Sequence, residues 1–373
     1  MKKQEPIRIA HIIGKWVGGG VEAVVMNYYK NIDHDKIQFD FICDNDSTNI
    51  PYEEIEKLGG KVILIPPYQK AFSYHRQLKK VLKEGNYKIV HSHINTMSVF
   101  PLWAAKSAKV PVRIAHSHST TNKKEWKKNI LKQVLRPFSK TFATHYFACT
   151  EHAGRWLFGN KEFDKGNVYV LNNAIDLDKF KYDEAKRKKK RKELSIPNSA
   201  LVFGHIGRFM KQKNHDFLIE VFAEIHKKDK NSILLLAGQG PLVEEMKQKV
   251  EELKILNSVV FLGQRDDVAD LYQAFDVFML PSLYEGLGIV LIEAQCAGLP
   301  SFASTEVPEI AKVSNVLDFI DLNTPKEMWA DIILQSIKDY KRKDHLKDCQ
   351  KCGYDIKKEV KKLENKYKNF IKG

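Results

Sequence analysis

The chain has 373 residues, 43% hydrophobic and 29% charged, a length that favours two domains over one and a composition that excludes a disordered or collagen-like chain. It contains no run of about 18 apolar residues, which excludes a membrane-spanning helix, and its five scattered cysteines exclude a secreted disulfide scaffold, so a cytoplasmic setting is expected. The net charge of +15 is uneven: residues 1–175 hold 27 Lys and Arg against 15 Asp and Glu, a net of +12, and the remainder a net of +3.

Taken in chain order, short β-rich runs alternate with longer amphipathic segments. Strands are expected at 7–13, 38–43, 61–65, 89–92, 112–116, 145–149 and 168–171, with helices at 20–31, 52–58, 72–84, 97–108 and 123–138 between them. The alternation resumes with strands at 200–206, 232–237, 259–262, 277–280 and 300–303 and helices at 214–228, 242–254, 268–274 and 289–297. Repeated βα units predict an α/β protein with two doubly wound domains of parallel strands covered by helices on both faces. Ligands then belong at the carboxyl ends of the strands, in the cleft between the domains. The boundary is expected within 173–197, where the lysine-rich run 186–192 reads as a solvated helix or hinge. The tail 354–370 has apolar residues at helical spacing and should dock as an amphipathic helix.

The most informative segment is Pro281-Ser-Leu-Tyr-Glu-Gly-Leu-Gly-Ile-Val-Leu-Ile-Glu293, which follows an apolar strand. Gly286 and Gly288 let backbone approach a ligand, and a helix starting near Gly288–Ile289 offers free N–H groups to a diphosphate. Glu293, one to two turns into that helix, can accept hydrogen bonds from two ribose hydroxyls. After the strand 200–206 comes Gly207-Arg-Phe-Met-Lys-Gln-Lys213, where Arg208 and Lys213 suit a nucleotide diphosphate. Gly238-Gln-Gly240 is a third glycine turn after a strand.

These residues resemble the retaining glycosyltransferases of family 4, and the likeness covers nearly the whole chain. It includes Gly18-Gly-Gly-Val-Glu22, Val90-His-Ser-His93, Asn173 to Phe180, Gly207-Arg208 with Lys213, Gly238-Gln-Gly240, Phe261-Leu-Gly263 and the pair Glu285…Glu293, which corresponds to the family's E-x7-E motif. Leu287 stands where phenylalanine is usual, Ala174 where glycine is usual, and 304–309 lacks the glycine pair common before Pro-Glu.

The resemblance implies a GT-B fold, in which two Rossmann-like domains face each other across a cleft. An acceptor-binding domain would occupy 1–175, a donor-binding domain 176–353, and a helix at 354–373 would cross back to the first. It also implies a metal-independent, retaining hexosyltransferase using a nucleotide sugar, with a UDP-sugar expected, and needing no cofactor. Within the family, bacterial capsule and exopolysaccharide enzymes are most similar. Arg208 and Lys213 would neutralise the donor pyrophosphate and the departing nucleotide. Gly288, Ile289 and Val290 would add helix N-terminal donors, Glu293 would hold the ribose, and Glu285 would hold the sugar hydroxyls and stabilise a cationic transition state. Gly263 belongs to the same donor set. Gly18, Gly19 and Gly20 would bring backbone close to the phosphate from the opposite domain, and Glu22 would face the acceptor.

Family members carry a donor-facing histidine after the strand 112–116. His118 fits that place and His116 is the reserve, since strand alternation puts both on one side. His91 and His93 repeat the pattern at another strand end, and His93 and His116 are assigned with Glu22 to the acceptor side. Four such histidines also suit zinc, a reading set aside because the family chemistry needs no metal. Asp44-Asn-Asp46 resembles the D-x-D of metal-dependent transferases but leaves the second half of the chain unexplained, and Cys349-Gln-Lys-Cys352 reads as a helix surface.

The charge excess concentrates in Lys123–Lys140, which holds seven basic residues, with Trp126, Ile130, Leu131, Val134, Leu135 and Phe138 at helical spacing. That pattern suits an anionic membrane surface, peripheral on the inner face of the cell membrane, and a lipid-linked glycan acceptor. Two other readings are carried: a sugar-nucleotide epimerase or phosphorylase of the same two-domain plan, and a nucleic-acid-binding protein, for which the sequence shows no aromatic-basic platform.

Overall fold

The computed structural model describes residues 5–118 and 126–372, with backbone alone over 126–130. The chain divides into two compact units. The first runs to Ile175 and resumes at Gly353; the second is Asp176–Cys352.

In the first unit β1 (Ile7–Gly14), β2 (Ile37–Asp44), β3 (Lys61–Ile65), β4 (Ile89–Ser92), β5 (Val112–Ser117), β6 (His145–Ala148) and β7 (Val168–Val170) form one sheet in the order β3-β2-β1-β4-β5-β6-β7. In the second unit β8 (Leu201–Ile206), β9 (Ser232–Ala237), β10 (Val259–Gly263), β11 (Val277–Leu280), β12 (Ser301–Ser304) and β13 (Leu317–Ile320) are ordered β10-β9-β8-β11-β12-β13. Neighbouring strands run parallel in both sheets. The α/β expectation therefore holds. Every residue of β2, β4 and β11 is buried, as expected where helices cover both faces and apolar runs need not alternate. Strand order reverses between β1 and β4 and again between β8 and β11. In open α/β sheets such reversals leave a crevice at the strands' carboxyl ends, so each unit offers one.

The helix Ile356–Lys372 belongs to the first unit and buries Ile356, Val360, Leu363 and Tyr367. Its Glu364 accepts the Asp33 N–H at 2.8 Å, and Ile175 pairs with Asp355 as an isolated bridge. The second unit packs its sheet against the helices His215–Lys228 and Lys326–Ile337, with Phe203, Phe222 and Trp329 at the centre. Among the described residues, no helix is long and apolar enough to cross a membrane.

Two expectations need correction. The lysine-rich run is a helix, Glu184–Glu193, but it is not simply solvated. Arg187 and Arg191 both pair with the Asp276 carboxylate, which also accepts the Val202 N–H at the start of β8. Lys190 reaches Asp267 at 2.7 Å, and Arg191 is 3% exposed. A charge run is thus pinned on one face by acids far along the chain, which local composition does not reveal. Cys349 is likewise buried, beside the helix Ile289–Cys296, and Cys352 alone of the pair is exposed.

Replacing Asp276 by Ala leaves two guanidinium groups facing each other without a counter-charge. Losing one partner of a buried pair costs about 3–5 kcal/mol, so urea melts of Asp276→Ala should show a loss of that order.

Candidate active site

In the second unit the functional side chains gather at the β8/β11 reversal. The loop after β11 carries Glu285, whose side chain is only 7% exposed. Lys213, from the loop after β8, donates to Glu285 Oε1 at 2.7 Å. Ser282 Oγ donates to the same oxygen at 2.7 Å, and Gln212 Nε2 lies 3.4 Å from Oε2. Asn214, in the left-handed region ahead of the helix His215–Lys228, ties the loops together by donating to the Pro281 carbonyl at 3.1 Å. Arg208 is exposed, with no hydrogen-bond or charged partner among the described residues, so its charge is available to an anion. The turn after β9 lies close to this loop. A Cβ on Gly238 would sit 2.1 Å from the Gly207 carbonyl oxygen, so only glycine fits. Gly238 N–H donates to Gly263 O at 2.8 Å, which joins the loops after β8, β9 and β10.

Gly288, with φ 77°, precedes the helix Ile289–Cys296, whose first N–H groups lack side-chain caps. One turn in, Glu293 accepts a 2.8 Å hydrogen bond from Tyr272 Oη, which also lies 3.0 Å from the Val290 carbonyl oxygen. Burial pushes the Glu293 carboxyl up to about 7, against the lowering effect of the Tyr272 bond. Glu285 and Lys213 are therefore joined directly, while Glu293 is held by a separate tyrosine. Sequence reasoning missed Ser282, Gln212 and Tyr272. Ser282 lies three residues before Glu285 and was within reach of it, but nothing local connects Tyr272 to Glu293.

In the first unit, Gly18 (φ 77°) and Gly19 lead into the helix Gly20–Asn31. Glu22, expected to face the acceptor, is 7% exposed and accepts the Val17 N–H at 3.0 Å, folding the glycine loop back on its own helix.

His91, His93, His116 and His118 do come together, with one member the motifs did not suggest, His11. His11 Nδ1 lies 2.9 Å from His93 Nε2, and His93 Nδ1 lies 2.9 Å from His118 Nε2. His116 Nδ1 lies 3.0 Å from His91 Nε2, and His91 Nδ1 lies 2.7 Å from Tyr367 Oη. Both ring nitrogens of His93 are thus occupied. The stack is buried beneath Val24, Val25, Leu363 and Tyr367. Two sets of three, His11/His91/His93 and His93/His116/His118, hold ligand atoms within 4.8 Å of one another. Among the described residues, Nε2 of His11 and of His116 have no partner and no carboxylate joins the sets. Desolvation holds His11 and His118 near 3 and lowers His91, His93 and His116 well below the usual imidazole value.

Of the proposed membrane segment, 123–125 lie outside the described residues, as do the side chains of Trp126, Lys127, Lys128 and Ile130. The rest forms the helix Trp126–Leu135 and a 3-10 turn, Arg136–Lys140, on which Leu131, Val134 and Phe138 stand 46%, 58% and 53% exposed.

Two doubly wound units, one with a cation–carboxylate pair beside an uncapped helix, define an α/β protein of two Rossmann-like domains. Residues 18–179 match Glycosyltransferase Family 4, and residues 186–358 match the family described as Glycosyl transferases group 1. The chain is 34% identical to EpsF of Bacillus subtilis, which carries a glycosyltransferase name, over 96% of each chain. It is 24% identical, over 98% of its length and 97% of the relative's, to the Escherichia coli UDP-Gal:alpha-D-GlcNAc-diphosphoundecaprenol alpha-1,3-galactosyltransferase. It is 26% identical over 97% and 98% to the capsular polysaccharide biosynthesis glycosyltransferase CapH of Staphylococcus aureus. Its fold matches Anabaena HepE, solved with UDP and glucose, at a TM-score of 0.80 over 97% of this chain and 100% of that one, with 19% identity. The chain belongs to the GT-B glycosyltransferases of family 4.

The buried histidines make stability pH-dependent in a definite direction. An unfolded imidazole takes up a proton near 6.5, whereas the folded rings of His11 and His118 do so only near 3. Their contribution is complete above about pH 6.5 and is lost as pH falls. Urea denaturation at pH 7.5 and 5.0 should show a loss of roughly 2 kcal/mol for each of these two rings.

Proposed function

We propose that the protein transfers a hexose, with retention and without a metal, from a UDP-sugar to a growing lipid-linked glycan at an anionic membrane surface. The observation that carries the reading is the Lys213–Glu285 pair with Ser282 at the β8/β11 reversal. It supports the reading because a cation suited to a diphosphate and a carboxylate suited to sugar hydroxyls lie at adjacent atoms.

In this reading the donor diphosphate draws Lys213 away from Glu285 and is met by Arg208 and by the N–H groups of Ile289 and Val290. These groups neutralise the charge that develops on the departing nucleotide, which is where fixed cations contribute most. Their positive charge is the reason for proposing metal independence. Glu285, released from Lys213, accepts hydroxyls of the transferred sugar and opposes its developing positive charge. Glu293 takes the ribose hydroxyls, in its ionised form. The relative from Escherichia coli, named for UDP-Gal and a diphosphoundecaprenol-linked GlcNAc, supports the donor and acceptor classes. The exposed Leu131, Val134 and Phe138, within a basic segment, support the membrane surface.

Lys213→Ala and Glu293→Ala should each weaken UDP binding by about 1.5–3 kcal/mol, the worth of a charge-assisted hydrogen bond. Calorimetric titration checks this, and unchanged affinity in both folded variants would remove the donor assignment. Turnover should survive EDTA, whereas complete loss restored by a divalent ion would reverse the metal-independent reading. Transfer should require an acceptor, since turnover of donor alone to an isomeric sugar nucleotide would favour the epimerase reading. Sedimentation with phosphatidylglycerol vesicles should capture the chain at low salt and release it as salt screens the lysines.

A further inference from the structure

The carboxyl end of β2 holds a side chain that the reading above leaves unused. Asp44 is 4% exposed, and neither of its carboxylate oxygens has a hydrogen-bond partner among the described residues. It lines a pocket of about 480 Å³ at the β1/β4 reversal, together with Gly14, Lys15, Glu22, Tyr68, His93 and Asn95. That volume lies within the range of small-molecule sites, and the position is where an open α/β sheet takes its ligand.

The surroundings narrow the chemistry. Asp46 is neutralised by Lys15 at 2.7 Å, half exposed at the rim. One oxygen of Glu22 is spent on the Val17 N–H, and both ring nitrogens of His93 are engaged within the histidine stack. Asn95 Oδ1 accepts the His118 N–H. Among the described residues lining the pocket, Asp44 is left as the carboxylate with both oxygens free to bind. Desolvation, reinforced by the charge of Asp46, raises its carboxyl to about 6, and a buried carboxyl without a donor is costly unless a ligand supplies one. The floor beside it is kept clear by glycine. Gly14 has φ 76°, and a Cβ there would meet Ile94 Cγ2 at 3.0 Å and stand 4.0 Å from Asp44 Oδ2. Tyr68, stacked on Phe100 with ring centroids 5.6 Å apart, forms a wall. Acidic groups beside an aromatic wall disfavour a phosphate and suit a polyhydroxylated ring.

We propose that this pocket holds the sugar ring at the reacting end of the acceptor, and that Asp44 selects that sugar by accepting hydrogen bonds from its hydroxyls. The proposal rests on the transferase reading and adds to it a specificity-determining residue outside the family motifs. Asp44 thereby gains a role unrelated to the metal-dependent D-x-D pattern it resembles.

The test uses the full chain with UDP present and saturation-transfer NMR on methyl α-glycosides of glucose, galactose and N-acetylglucosamine, with their singly deoxygenated derivatives. At least one glycoside should receive saturation, and Asp44→Ala should weaken its binding by about tenfold or more, the loss expected for hydrogen bonds to a charged group. Asp44→Asn, which keeps shape but not charge, should fall between. One deoxy derivative should bind the wild type as weakly as its parent binds Asp44→Ala, and lose nothing further in that variant. UDP affinity should stay unchanged in both variants and their melting temperatures should not fall, which shows that they fold. Equal glycoside binding in wild type and Asp44→Asn, or no saturation of any glycoside while UDP still binds, would overturn the pocket assignment and leave the donor reading standing. Failure of the wild type to bind UDP would overturn both.

Discussion

A single carboxylate organises the second unit. Glu285 sits in a loop that would otherwise be free, and two donors on one of its oxygens, Lys213 and Ser282, fix it at the strand ends. The ion pair is only slightly solvated, so neither partner can be lost without leaving the other desolvated. In the proposed reading a polyanionic donor changes that balance by offering Lys213 a stronger partner, which frees the carboxylate for the sugar, so that the two binding functions rest as one neutral pair until ligand arrives. The close approach of Gly238 to Gly207 and the left-handed Asn214 serve the same end by holding the β8 loop where Lys213 can reach.

The first unit is organised by burial of neutral imidazoles. Five rings from β1, β4, β5 and the residues just beyond them occupy the sheet face that the helices Gly20–Asn31 and Ile356–Lys372 cover. Tyr367 reaches in from the C-terminal helix to His91. The last residues of the chain thereby complete the core of the first domain, which accounts for a tail rich in lysine having a strictly spaced apolar stripe. The cost of this core is acid sensitivity, since each ring must remain uncharged while buried.

Much of this was legible in the sequence. Alternating β and α runs predict the parallel sheets, and the glycine-bearing loop with Glu285 predicts the helix after Gly288 that carries Glu293. What was not legible depends on partners distant in the chain. Asp276 turns the 186–192 charge run into a docked helix, although nothing near that run announces it. Tyr272 holds Glu293 from another helix. His11 stands alone in an apolar strand and reads as incidental until β1 and β4 are paired in register. Asp44 was discounted because its motif belongs to another architecture; its burial without a partner becomes visible only in the folded chain. The strand Leu317–Ile320 and helix Lys326–Ile337 escaped notice because the strand is short and Asp318 interrupts its apolar run.

The central claim is that Glu285 recognises the transferred sugar while the cations recognise the nucleotide. Calorimetric titration of wild type and Glu285→Gln with UDP and with a UDP-hexose that the wild type turns over tests this most directly. The account predicts that the substitution leaves UDP affinity unchanged or improved, since Lys213 is released, and abolishes the extra affinity that the hexose confers. Equal loss of affinity for UDP and for the UDP-hexose would contradict it, because Glu285 would then be supporting the nucleotide site alone.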